Sequence, residues 1–262
     1  MNHEATAVPA QRSAAPRKLR AAWRLLRVAL HVLHGLGLVL LRWPTLDHAA
    51  RMQRVQWWAA KLLRVLGIEL RTTGLPRPGG TMLVANHVSW LDIVAIHARC
   101  PQARFVSKSE VRHWPVIGRL VDAAGTLYLE RERRRDALRV VHHAAEALQR
   151  GDTVAVFPEG TTGDGHALLP FHANLLQAAI VGSTPVQPVA LRFSDAQHAI
   201  SPAAAYVGDT SLLQSLWWVV CAEGLTVHVG WLLPQGSAHA DRRALAAHVR
   251  QCIADAVAVD LA

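Results

Sequence analysis

From residue 68 onward, short apolar runs of β character alternate with stretches of helical periodicity. The strand-like runs fall at 68–72, 81–85, 104–107, 126–130, 153–157, 186–192 and 225–231. Helical patterns fill the gaps at about 89–99, 110–123, 133–149, 171–181, 211–222 and 240–257. Strands separated by helices pair in parallel, so this order predicts an α/β fold, a mostly parallel sheet with helices on both faces. No repeat or linker divides 68–262, which reads as one domain. The chain is 51% hydrophobic and 18% charged, enough apolar material for that core and too much for a disordered chain. Three cysteines at unrelated spacings (Cys100, Cys221, Cys252) suit a reducing compartment and form neither a disulfide framework nor a cysteine-rich zinc site.

The net charge is +9, and its placement matters more than its size. Residues 1–77 hold 13 basic and 3 acidic side chains, while residues 78–262 are nearly balanced with 15 and 16. A nucleic-acid enzyme spreads its basic residues around the cleft; an arm both basic and apolar points to an anionic lipid surface. Residues 1–20 read as a disordered basic tail and 21–67 as a membrane-associated helical pair. Between Arg27 and Arg42 run 14 uncharged residues, bracketed by Trp23 and Trp43 as interfacial aromatics bracket a membrane segment. As a helix they reach roughly 21 Å, short of a bilayer core of about 30 Å, so the segment either dips into one leaflet or spans with snorkelling arginines. Pro44 breaks the chain. A second helix over about 47–66 sets Met52, Val55, Ala59, Leu62, Leu63 and Leu66 against Arg51, Arg54, Lys61 and Arg64. That pattern reads as a basic helix at a membrane, favoured by Trp57 and Trp58 and by the two helices in series, with an ordinary helix packed on the body as the alternative. The flanking positive charge predicts the cytoplasmic side, and no small-residue cleavage site marks a removed signal peptide.

The chemistry concentrates in Asn86-His87-Val88-Ser89-Trp90-Leu91-Asp92. The apolar strand before it ends at Ala85, so His87 emerges at a strand's C-terminal edge, where open α/β sheets place their ligands. Two readings share this spacing. Ser89 and Asp92 form a capping-box-like pair at a helix start, or Asp92 holds one ring nitrogen of His87 and leaves the other to take a proton. No nucleophile elbow G-x-S-x-G exists in the chain. A histidine base then draws its proton from a bound substrate hydroxyl, which describes direct acyl transfer to an alcohol.

Two further segments follow strand ends. In Phe157-Pro158-Glu159-Gly160-Thr161-Thr162-Gly163-Asp164-Gly165, glycines allow close approach to a polar ligand. Gly160 and Gly165 have P-loop spacing, but His166-Ala167 stands where Lys-Ser/Thr is required. In Gly125-Thr126-Leu127-Tyr128-Leu129-Glu130-Arg131, Arg131 is placed to fork onto an anionic or carbonyl oxygen.

Together these segments resemble the membrane-bound lysophospholipid acyltransferases, typified by 1-acylglycerol-3-phosphate acyltransferase. The family's H-x-x-x-x-D block is similar to His87 through Asp92. Its second block is similar to Lys108-Ser109-Glu110 through Arg131, its third to Phe157 through Thr161, and its fourth to Val186-Gln187-Pro188-Val189-Ala190. The resemblance covers about residues 45–192. It implies His87 as general base with Asp92 as its partner, and Arg131, Glu159 and Gly160 in acceptor binding. Thr161 and Lys108, in the same blocks, join them as candidate substrate contacts. It implies acyl carrier protein or acyl-CoA as co-substrate, with no other cofactor and no metal. Lysophosphatidate-using members usually continue the third block with Arg-Ser, whereas Thr162-Gly163 stands here with Asp164 nearby. In this the chain resembles the bacterial lyso-ornithine lipid O-acyltransferases, and Asp164 is a candidate partner for an ornithine ammonium. Asp164-Gly165 is also a common turn dipeptide.

Three classes of function compete at this point. The leading one is an O-acyltransferase acting on lyso-ornithine lipid or on lysophosphatidate. A lipid hydrolase or thioesterase would use the same His-Asp pair on water. A non-enzymatic peripheral membrane protein has no use for the His87–Asp92 spacing. No H-E-x-x-H occurs, and His142 and His143 are adjacent on a helix and diverge, so they make poor co-ligands for a metal.

Overall fold

The computed structural model describes residues 14–129 and 134–259. Its centre is a sheet in the order β1-β7-β6-β2-β5-β3-β4, built from β1 (Glu69–Thr73), β2 (Thr81–Ala85), β3 (Ala103–Lys108), β4 (Leu127–Leu129), β5 (Thr153–Val156), β6 (Val186–Ser194) and β7 (Thr226–Trp231). Every pairing is parallel except β6 with β7. Each predicted strand appears at its place within one or two residues.

Side chains alternate through the central strands, as a sheet covered on both faces requires. Leu83, Ala85, Ala155 and Leu191 enter the core beneath α2 (His48–Leu66), α3 (Leu91–His97) and α7 (Leu212–Cys221). Met82, Val84, Val154 and Val156 enter the opposite core with α5 (Arg134–Gln149), α6 (Gln177–Val181) and α8 (Arg242–Val259). Two helices differ from their sequence patterns. The stretch expected over 110–123 becomes a 3-10 turn, Ser109–His113, followed by α4 (Ile117–Ala123). Pro115 lies between them, and Trp114 before it is extended at ψ 127, as a residue preceding proline prefers. The stretch expected over 171–181 is helical only from Gln177; its start is drawn off by the His172 N–H, which donates to Pro158 O at 2.8 Å.

The N-terminal arm begins with α1 (Ala14–Leu41), whose 28 residues extend about 42 Å. It takes in residues 14–20, which the sequence reading gave to the tail, and it is longer than the uncharged segment alone. The part from Arg17 to Leu41 is long and apolar enough to cross a membrane. Ala21, Val28, His31 and Gly35 form a seam toward the body, while Trp23, Leu26, Leu30 and Leu33 are exposed. Helix α2 is capped as its sequence indicates: Asp47 accepts from Ala50 N–H at 2.7 Å, and Gly67 closes it in the left-handed region. Its apolar face, Ala59, Leu62, Leu63 and Leu66, is buried in the core with α3, so for that face the packed-helix alternative holds. The two helices lock through Trp58, which donates to His31 O at 3.2 Å and stacks on the His31 ring. A Cβ at Gly35 would lie 2.4 Å from Trp58 Nε1. Gly35→Val is therefore expected to force the helices apart at a cost of about 1–3 kcal/mol, read as a lower thermal midpoint and faster proteolysis at the Arg42–Leu46 elbow; an unchanged melt would contradict this packing.

Candidate active site

Strands β2 and β5 are neighbours, and the helices that follow them lie on opposite faces: α3 packs into one core and α6 into the other. Such a switch point opens a crevice at the C-terminal strand edge. His87 enters it from β2 and Glu159 from β5.

His87 is held from several directions. Its N–H donates to Glu159 Oε1 at 3.0 Å, and its carbonyl accepts from Gly163 N–H at 2.8 Å. Beside it, the Asn86 amide donates to Leu191 O at 2.9 Å and accepts from Leu191 N–H at 2.8 Å, fastening the strand end to β6. The His87 ring bonds Asp92 Oδ2 through Nδ1 at 2.8 Å, with 18% of the histidine side chain exposed and none of the aspartate. The same Oδ2 accepts from Val88 N–H at 2.7 Å and Ser89 N–H at 2.9 Å. The two sequence readings of Asp92 thus coexist in one oxygen: it satisfies a backbone donor at the start of α3 and it holds His87. The Ser89 hydroxyl takes no part, so the capping box is half-formed.

A ring stack backs the imidazole. Phe157 lies over His87 at 3.9 Å between centroids and 10° between planes, with Phe105 stacked behind Phe157 at 5.7 Å. His97 packs edge-on against Phe105, and burial pushes its pKa down to about 4. The far end of the stack is therefore neutral near pH 7, and a proton gained by His87 meets no like charge along it.

Glu159 is a strut between two loops. Its Oε2 accepts from Leu169 N–H at 3.1 Å while Oε1 holds His87 N–H. Burial pushes its carboxyl above the usual carboxylate range, against the pull of these two bonds. Gly160 turns the chain at φ 70, a conformation that favours glycine, with its N–H on Phe157 O. Thr161 is exposed, and Lys108 is exposed at the end of β3 on the same sheet edge. Asp164 is exposed and accepts from His166 N–H at 2.9 Å, a turn-forming bond. Thr162 donates to Tyr206 O. Arg131 lies outside the described residues.

Sequence reasoning missed the cover of this site. Tyr206 N–H donates to Val88 O at 3.0 Å, and Trp90 Nε1 donates to Ser215 Oγ on α7 at 3.1 Å. Only the chain's return across the sheet brings these partners together. A separate cleft of about 380 Å3 sits at the opposite edge, lined among others by Trp43, Arg51, Arg104 and Asp152. Its guanidinium groups bond the protein itself, Arg104 to Asp152 at 2.7 Å and Arg51 to Trp43 O at 3.0 Å.

The acyltransferase family model matches residues 67–192. A lyso-ornithine lipid O-acyltransferase from Pseudomonas aeruginosa is 37% identical over 247 residues, 90% of this chain and 93% of that protein. A 1-acyl-sn-glycerol-3-phosphate acyltransferase from Neisseria meningitidis serogroup B is 38% identical over 196 residues, 74% of this chain and 76% of that one. The crystal structure of the 1-acyl-sn-glycerophosphate acyltransferase PlsC from Thermotoga maritima shares the fold, with a TM-score of 0.72 over 93% of this chain and 95% of that one at 21% identity. Identity of this extent, spread over nine-tenths of the chain, shows that the protein belongs to the acyltransferase family.

Proposed function

We propose that the protein moves a fatty acyl group from acyl carrier protein or acyl-CoA to the hydroxyl of lyso-ornithine lipid. The observation that carries the chemistry is a ring nitrogen tethered to a fully buried carboxylate at the switch-point crevice. In this reading the acceptor hydroxyl gives its proton to His87 Nε2 as its oxygen attacks the thioester carbonyl. Asp92 stabilises the imidazolium through Nδ1. Collapse of the tetrahedral intermediate breaks the C–S bond, and the departing thiolate takes the proton from Nε2. Lys108 and Thr161 stand near the same strand edge as candidate acceptor contacts, Arg131 is a candidate from its motif alone, and the Gly160 turn permits close approach.

The choice of acceptor rests on Thr162 and Asp164 and on the reach of the Pseudomonas relative over nine-tenths of the chain. Lysophosphatidate is the second reading, favoured by the Neisseria relative. Competition between the two lyso-lipids in one mixed micelle separates them: lyso-ornithine lipid is expected to be consumed faster, and a tenfold preference for lysophosphatidate would replace the first reading by the second. Because Asp164 is exposed, its charge is worth about 0.2–1 kcal/mol, at most about fivefold. Asp164→Ser is expected to raise kcat/KM for lysophosphatidate within that range while keeping the turn; no change would remove Asp164 from acceptor choice.

The site is proposed to work at the cytoplasmic face of the membrane. The exposed apolar side of α1 is the anchor, as a leaflet insertion or a span. A cleft of about 280 Å3 lined by Arg27, Trp57, Lys61, Arg64 and Val65 offers cations to anionic headgroups.

A further inference from the structure

Helix α7 belongs to the part of the chain beyond the family blocks, and its surface is unusual for a helix facing water. Between Leu212 and Ala222 it carries no charged side chain. Ser215, Val219 and Val220 are buried, but Leu213 is 78% exposed, Trp217 45% and Trp218 37%. One helical turn separates Leu213 from Trp217, so these side chains form one uncovered apolar face.

Its neighbours are equally informative. On one side it joins α1: Arg24 Nη1 donates to Val220 O and Ala222 O, both at 2.9 Å, and Glu223 just beyond α7 bonds Arg20 at 2.8 Å. A cation of α1 therefore satisfies the free carbonyls at the end of α7. On the other side, Ser215 takes the Trp90 indole bond, two residues from Asp92. Helix α7 is thus tied both to the exposed apolar helix and to the segment bearing the His-Asp pair.

We infer that α7 is a second membrane-inserting element, which lays Leu213, Trp217 and Trp218 into the interfacial layer of a phospholipid bilayer beside α1 and so holds the His87 crevice at the lipid surface. Indoles favour that layer, where an apolar body and a polar N–H are both accommodated. Helix α7 packs against α1, which carries exposed apolar side chains of its own, and cations at Arg27, Lys61 and Arg64 provide the complement to anionic lipid. The inference rests on the membrane reading of α1 given above, and the test keeps the two apart.

Full-length protein carrying Cys221→Ser and Cys252→Ser receives a single environment-sensitive fluorophore through Leu213→Cys on α7 or, separately, through Leu30→Cys on α1. Each is mixed with vesicles of phosphatidylethanolamine and phosphatidylglycerol. A blue shift at both positions, quenched by lipids brominated near the headgroup, is the expected result. A response at position 30 with none at 213 overturns the α7 inference and leaves the anchor standing. Silence at both overturns the anchor as well. A shift at 213 that needs no vesicles and grows with protein concentration assigns the face to a second copy and also overturns it. In parallel, Trp217→Ser with Trp218→Ser is expected to raise KM for bilayer-embedded acceptor at least tenfold, with turnover of a water-soluble short-chain acceptor within twofold of the parent; equal losses on both acceptors would mark a purely structural role.

Discussion

His87→Ala is expected to lower kcat/KM by roughly 10²–10⁴-fold, the usual worth of a positioned general base. The fold should survive the change, because the loop is held mainly through the backbone of residue 87. Its N–H on Glu159 and its carbonyl on Gly163 N–H both remain in the variant. Asp92 loses one donor of three, at about 1 kcal/mol. The checks are acyl transfer with saturating donor and a thermal melt. Near-normal turnover would remove His87 from the proton path, and an intact melt beside lost activity would confirm that the loss is chemical.

Asp92→Asn is expected to act differently, and the geometry says how. Asp92 Oδ2 serves Val88 N–H, Ser89 N–H and His87 Nδ1 together, so an amide at this position must keep its oxygen there. The tautomer of His87 is then preserved, and what disappears is the negative charge beside the imidazolium. A hydrogen bond to a charged group is worth about 1.5–3 kcal/mol, so kcat/KM should fall roughly 10- to 150-fold, less than for His87→Ala. The amide nitrogen would occupy the position of Oδ1, which is buried without a hydrogen-bond partner. A donor left there costs about 1–3 kcal/mol of stability. Near-normal turnover by the variant would show that Asp92 serves the start of α3 and nothing more.

What could be read from the sequence was whatever depends on near neighbours. Strand β2 was legible from five apolar or β-branched residues between turns, helix α2 from Asp47 and Gly67 at its ends, and the His87–Asp92 contact from a five-residue spacing. The helix expected over 110–123 failed at Pro115, a local signal outweighed there by apolar periodicity. The rest depended on distance along the chain. Asn86 finds Leu191, Trp90 finds Ser215, and Val88 finds Tyr206 only after β6 has returned beside β2, and nothing near those residues marks the pairing. The motif makes Glu159 a candidate for acceptor binding, and only the fold shows that its two oxygens also tie His87 N–H and Leu169 N–H together. The stack of Phe157 on His87 joins two motifs that had been read separately.

Strand β1 has a single neighbour in the sheet, and that neighbour is β7, which lies more than 150 residues later in the chain. During synthesis at about 5–20 residues per second, β1 therefore waits roughly 8–30 s for its partner. In that interval α1 has left the ribosome while α7, whose last carbonyls Arg24 will bind, does not yet exist. Helix α2 follows at once and can lock onto α1 through Trp58, but the Arg24 side of α1 stays uncovered until α7 is made. The N-terminal helix pair thus precedes closure of the domain, and β7 is the strand that completes the sheet.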